Sequence, residues 1–128
     1  MPTVWLAEGH SAVAPVHVYR FDWAPPMFRV LRLGASHAAE LPYMWGNVVA
    51  GPRDVTFKLG GLEHGMAISR RMRARWLNFV RGAEPDGLPG DPHWPGYDPA
   101  RRATLLIDRR DAVADDPDRE IRAAWGSE

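Results

Sequence analysis

Val16-His17-Val18-Tyr19-Arg20-Phe21 reads as a strand, and the stretch after it limits what this chain can become. Its β-branched and aromatic side chains favour a pleated, half-buried backbone. A short loop then leads into Gly34-Ala35-Ser36-His37-Ala38-Ala39-Glu40-Leu41-Pro42-Tyr43-Met44-Trp45-Gly46. That stretch combines a small-residue turn, a histidine, a carboxylate three residues on, and an aromatic-glycine stop. A strand followed by a histidine-bearing loop suits acid–base chemistry. The loop can present the imidazole at the rim of a sheet while the strand fixes its position.

The remaining pattern predicts a mixed α/β segment. Residues 3–14 read as a frayed helix tail leading to a turn at Pro15. Pro25-Pro26 argues for a loop over residues 23–34. Met27, Phe28, Val30, Leu31 and Leu33 make that loop apolar, so it either lines a pocket or packs on neighbouring elements. A short helical turn is expected within 38–46, its start limited by Pro42, and a loop over 47–65. Residues 66–81 give the clearest helix, with Ile68, Met72, Trp76 and Phe79/Val80 on one stripe that reads as a core face. Arg70, Arg71, Arg73 and Arg75 on the same helix read as a solvated face. Gly82 is a fitting stop. Residues 83–103 are rich in Pro, Gly and Asp and read as a surface connection pinned by Trp94 and Tyr97. A short strand at 104–107 follows, then a final helix at 117–125. Its acidic approach, Asp115-Asp116-Pro117-Asp118, suits a positive helix N-terminus. There are no repeats or heptads, and the 128 residues read as one segment.

Composition removes several function classes. The formal net charge is zero, from 16 basic and 16 acidic residues, which gives no electrostatic case for nucleic acid or an anionic membrane. Of the basic residues only Lys58 is lysine, which reads as coding bias, because the arginines are spread and offset by carboxylates. There are no cysteines, so disulfides, thiolate metal sites and cysteine nucleophiles are out. No apolar run approaches the roughly 20 residues of a membrane helix. No signal peptide is visible, so a cytoplasmic location is expected. His10, His17, His64 and His93 lack a ligand spacing such as His-x-x-x-His, so no metal is expected. His17 reads as a packed strand residue. The glycines at 60, 61 and 65 lack the Lys-Ser/Thr ending of a phosphate loop, and no cofactor is implied.

The histidine segment resembles that of the type B carboxylesterases, the family of para-nitrobenzyl esterases and cholinesterases. Their Gly-x-x-His-x-x-Glu stretch, closed by an aromatic-glycine pair, is matched by Gly34, His37 and Glu40, with Trp45-Gly46 in place of Phe-Gly. The segment from Ala14 to Trp23 is similar to the family's preceding strand. Ile68 through Gly82 is similar to its long C-terminal helix. Trp94-Pro95-Gly96-Tyr97 and Thr104 to Asp108 are similar to its last strand and approach. These matches are collinear and cover nearly the whole chain.

The resemblance implies the C-terminal portion of an α/β-hydrolase fold with an incomplete sheet. The triad of that fold runs Ser, then Asp or Glu, then His along the chain. Only 36 residues precede His37. The near-miss to a nucleophile elbow, Gly9-His10-Ser11-Ala12-Val13, has Val13 where a glycine is needed, so Ser11 reads as an ordinary residue near a helix end. The expectation is therefore a carboxylesterase segment starting at an internal methionine. It would supply His37 as catalytic base, with Gly34, Glu40 and Gly46 as loop support. Glu40 is expected to be buried and hydrogen-bonded, the serine and triad acid lying upstream. The expected partner is a small-molecule ester once a complementing chain completes the site. Two alternatives stay open: a noncatalytic remnant acting as an interaction module, or one half of a split esterase. Self-association through exposed strands is also expected.

Overall fold

The computed structural model describes residues 2–126. Helix α1 (Pro2–Ser11) leads to strand β1 (Val18–Phe21), and helices α2 (Pro26–Val30) and α3 (Leu41–Trp45) follow. The long helix α4 (Leu62–Val80) precedes strands β2 (Ala103–Ile107) and β3 (Ala112–Asp115) and the terminal helix α5 (Arg119–Ala124). The strands form one sheet in the order β1-β2-β3. β1 runs parallel to β2, with Tyr19 opposite Leu105 and Phe21 opposite Ile107. β2 runs antiparallel to β3, with Leu105 opposite Val113.

Two-residue alternation sends Tyr19, Phe21, Leu105, Ile107 and Val113 to one face of the sheet. There they join Trp23, Tyr43, Ile68, Met72 and Trp94 in a single core. The buried residues of α4 are Gly65, Ile68, Ser69, Met72 and Arg75, a helical repeat along one side. On the opposite face, α1 and α5 border a hollow of about 270 Å³ that reaches Val18, Arg20 and Thr104. α1 is tied down by Glu8, whose carboxylate lies 3.0 Å from Arg102. Ser11 ends α1 with its hydroxyl donating to the Glu8 carbonyl, as expected of a residue near a helix end.

Several sequence expectations need correction. Residues 26–30 are helical despite Pro25-Pro26, because Pro26 occupies the first turn, where its missing N–H has no intrahelical partner to lose. α4 starts at Leu62, a full turn before residue 66, and takes in Gly65. A glycine is needed there, since a Cβ would lie 3.2 Å from each of Phe57, Tyr43 and Val48. β1 begins at Val18, two residues late. The Val16 carbonyl is taken by the Tyr97 amide and the Val18 carbonyl accepts from the Trp94 indole, so a loop covers the strand's approach. These bonds also bury Trp94 and Tyr97, the two expected pins of the 83–103 connection. Strand β3 was not expected. The last turn of α4 does not continue the core stripe, as Val80 is 79% exposed and Phe79 has its ring contact on His17.

The largest correction concerns the arginine row, which is not a uniformly solvated face. Arg75 is fully buried, one helical turn beyond the buried Met72. Its Nη2 donates to the Pro92 carbonyl at 3.1 Å and lies 3.4 Å from Asp111. Arg71 donates to Asp111 at 3.0 Å and to the Asp108 carbonyl at 2.7 Å. Asp111, whose side chain is 1% exposed, therefore ties the β2–β3 connection to two turns of α4. Asp111→Ala should cost about 3–5 kcal/mol, the ordinary penalty for leaving a buried charge without its partner. Chemical denaturation of the two proteins measures the difference, and a loss below about 1 kcal/mol would refute the bracing role.

β1 has a free edge. The Asp22 amide donates to Ile107, so even-numbered residues of β1 direct their backbone groups toward β2. Alternation turns the N–H and C=O groups of Tyr19 and Phe21 to the other side. Trp5, Leu6, Leu31, Leu33 and Trp45 are exposed as well. The accessible surface is 8295 Å². A compact monomer of this mass has about 6,800 Å², so the chain carries roughly a fifth more surface than closure would leave. Free edges and apolar patches recruit other chains. The purified chain should bind a hydrophobic dye and scatter light as an associating species. A dye-silent monomer with a sharp melt would contradict this.

Candidate functional site

The histidine-bearing segment is anchored at both ends. Where β1 ends, the Asp22 and Trp23 amides both donate to the Ile107 carbonyl, at 2.9 and 3.1 Å. Trp23 is fully buried, with the guanidiniums of Arg29 and Arg109 each within 6 Å of its ring. α2 follows, and the Leu33 amide turns back to the Phe28 carbonyl at 2.8 Å. Gly34 then takes φ +58°. Ser36 to Ala39 form a tight turn, closed by the Ala39 amide on the Ser36 carbonyl at 3.0 Å. His37 and Ala38 are its central residues. Ala38 adopts φ +60°, a left-handed conformation that an L-residue enters at a cost of about 1–2 kcal/mol.

α3 forms the second anchor. The Glu40 carbonyl accepts from the Tyr43 and Met44 amides, both at 3.0 Å. Tyr43 is buried, its phenol accepting from the Trp23 indole at 3.1 Å and its carbonyl accepting from Ser69 of α4 at 2.7 Å. Gly46 ends α3 at φ +75°, with Arg73 so close that a Cβ would lie 3.0 Å from its guanidinium. Burial pushes the Tyr43 phenol above its ordinary range, so at neutral pH it stays protonated.

His37 is exposed and its imidazole has no hydrogen-bond partner among the described residues. It lines a shallow hollow of about 280 Å³ with Tyr19, Arg20, Phe21, Ser36 and Glu40. The hollow lies beside the free edge of β1. Glu40 is only half-buried and its carboxylate accepts no hydrogen bond among the described residues, which differs from the buried, bonded role expected of it. Its charge is felt instead by Tyr19, whose phenol is pushed up first by burial and then by Glu40. Ser36 shares the hollow, but its hydroxyl makes no bond to His37. The described residues thus assemble a free imidazole, and no serine–histidine–carboxylate set around it. Sequence reasoning passed over Trp23 and Tyr43 as parts of this site. Their contact joins positions 20 apart, so no local pattern signals it.

Three of the other four histidines have partners elsewhere. His64 packs edge-on against Trp23, and His93 pairs with Asp86 at 2.8 Å. His17 lies just before β1 rather than within it, packed edge-on against Phe79 and Trp94, with Nδ1 buried and unbonded.

The sheet and its flanking helices belong to an α/β-hydrolase fold of which only part is present. The carboxylesterase EST55 of Geobacillus stearothermophilus superposes with a TM-score of 0.75 at 35% identity, over 95% of this chain and 24% of that one. A solved para-nitrobenzyl (PNB) esterase gives a TM-score of 0.72 at 29% identity, over 95% and 23%. In sequence, the chain is 32% identical over 127 residues to the para-nitrobenzyl esterase of Bacillus subtilis (strain 168), covering 94% of this chain and 24% of that protein. It is 32% identical over 126 residues to the acylcarnitine hydrolase of Rattus norvegicus, covering 96% and 20%. Residues 1–125 match the carboxylesterase family, and the chain belongs to it. It spans a quarter or less of the length of these relatives. No helix among the described residues is long and apolar enough to cross a membrane.

The burial of His17 predicts a pH dependence of stability. Burial holds its imidazole below the ordinary 6.5; Glu84 raises it, His93 lowers it and Asp86 raises it. A histidine depressed in the folded state binds its proton more readily when unfolded. Its contribution is therefore present above pH 6.5 and is lost as the pH falls from there toward the depressed folded value. His17→Gln should flatten that part of the profile. Denaturant midpoints between pH 5 and 8 check it, and an unchanged slope would refute the assignment.

Proposed function

We propose that this chain is the histidine-bearing, C-terminal part of a serine carboxylesterase. In this reading His37 is the general base, and the nucleophile, triad acid and oxyanion hole come from a separate serine-bearing segment. The observation that carries it is the free imidazole of His37, held on a tight turn beside an open strand edge. His37 takes the proton of a serine hydroxyl as that oxygen attacks an ester carbonyl. The tetrahedral oxyanion collapses, the imidazolium returns the proton to the departing alcohol, and water repeats the sequence to release the acid. A carboxylate of the other segment holds the ring tautomer and steadies the imidazolium. Gly34, Glu40 and Gly46 support the loop. The substrate is a small carboxylic ester, in keeping with the esterase and acylcarnitine hydrolase names of the relatives.

The chain alone should give no turnover of a short-chain nitrophenyl ester that a serine-reactive phosphonate abolishes. Mixing or coexpression with a serine-bearing segment should restore it. In that complex His37→Ala should lower the rate on the order of 10³-fold or more, because a nucleophile and its base act as a unit. Glu40→Gln should cost far less per folded molecule. Equal losses would make Glu40 the triad acid, and phosphonate-sensitive turnover by the chain alone would place a nucleophile within it. Failure of every serine-bearing segment to restore activity would favour an interaction module.

A further inference from the structure

The loop that carries His37 is closed by one hydrogen bond between its two ends. The Trp23 indole N–H donates to the Tyr43 phenol at 3.1 Å, with both side chains buried and 20 positions apart. Each end is separately fixed. The Trp23 amide is bonded to β2, and the Tyr43 carbonyl accepts from Ser69 of α4. Beyond α2, the stretch 31–40 has little else to hold it. Leu31, Leu33 and His37 are exposed, Ala38 is in a left-handed conformation, and the backbone hydrogen bonds of 31–40 reach no further than five positions along the chain. A loop with few buried contacts takes its order from its closure.

We propose that Tyr43 is a positioning residue for His37, acting through its phenol on Trp23 and so fixing where the 24–42 loop presents the imidazole. This rests on the reading of His37 as the esterase base, but the bond's effect on the loop can be measured without any activity.

In the full chain, Tyr43→Phe keeps the ring in the core and removes only the acceptor. The amides of Leu31, Leu33, Ala39 and Leu41 are each hydrogen-bonded within this loop and report its closure. Their hydrogen exchange should speed up about tenfold in the variant, the factor one buried hydrogen bond carries. The amides of Leu105, Ile107, Ile68 and Met72 should keep their rates, and the His37 ring resonances should broaden. Trp23→Phe removes the same bond from the donor side and should reproduce the pattern, with no further acceleration in the double variant. Unchanged loop exchange, equal acceleration in β2 and α4, or disagreement between the two single variants would overturn the proposal. If loop exchange responds while His37→Ala leaves a reconstituted esterase active, the clasp stands and the catalytic reading fails.

Discussion

The buried carboxylate of Asp111 is the interaction on which the rest of this structure depends. It meets Arg71 and Arg75 on successive turns of α4. Carbonyls add acceptors to this cluster, Pro92 for Arg75 and Asp108 for Arg71, and Asp91 lies 3.8 Å from Arg71, although Nε and Nη1 of Arg75 stay buried without a hydrogen-bond partner among the described residues. The bracket and the apolar residues Ile68 and Met72 hold the same side of α4 to the core. With that side inward, Gly65 and Ser69 are turned toward α3, and Tyr43 has a seat over a glycine and a hydroxyl to satisfy its carbonyl. Tyr43 in turn receives Trp23, and Trp23 starts the loop to His37. The loop bearing the candidate base is thus linked through α4, Tyr43 and Trp23 to the charge cluster beside the hairpin.

What could be read from the sequence was set by how local each cause is. The strand at β1, the helix α4 and the aromatic pins Trp94 and Tyr97 follow from side chains a few residues apart, and each was legible. The helix at Pro26–Val30 was obscured because proline forbids a helix interior but suits its first turn, and the flanking residues do not say which applies. Strand β3 carries one β-branched residue, Val113, between alanines, so its pairing with β2 comes from the hairpin and not from propensity. Arg75 reads as solvated until Asp111, 36 positions away, is brought beside it. The family resemblance drew attention to His37, yet no local pattern revealed that Trp23 and Tyr43 close its loop.

The uncovered surface has one consistent geometry. The sheet stops at β1, whose outward-facing backbone groups belong to Tyr19 and Phe21, and the hollow around His37 lies against that same edge. Exposed apolar residues occur on α1, α2, α3 and the last turn of α4, so no single helix face accounts for them. The chain spans about a quarter of its relatives' length and leaves a sheet edge open among the described residues, which is the geometry the proposed complementing segment would cover. The half-buried, unbonded carboxylate of Glu40 fits the same picture, since a partner packed against that edge would bring donors within its reach.

A base that serves a nucleophile on another segment faces two demands that conflict within one fold. Its proton-accepting ring nitrogen must stand clear of donors on its own chain, because a donor there would occupy the lone pair that has to take the serine proton. Its backbone must still be placed well, because misplacement by an ångström is costly to proton transfer. The 24–42 loop separates the two demands in space. Its middle is exposed and lightly bonded, which leaves the imidazole free, and its ends are buried in the core, which supplies the placement. The left-handed Ala38 belongs to this division. A residue held there against its own preference calls for a loop fixed from outside, which in the proposed arrangement falls to Trp23, bonded to β2, and Tyr43, bonded to α4.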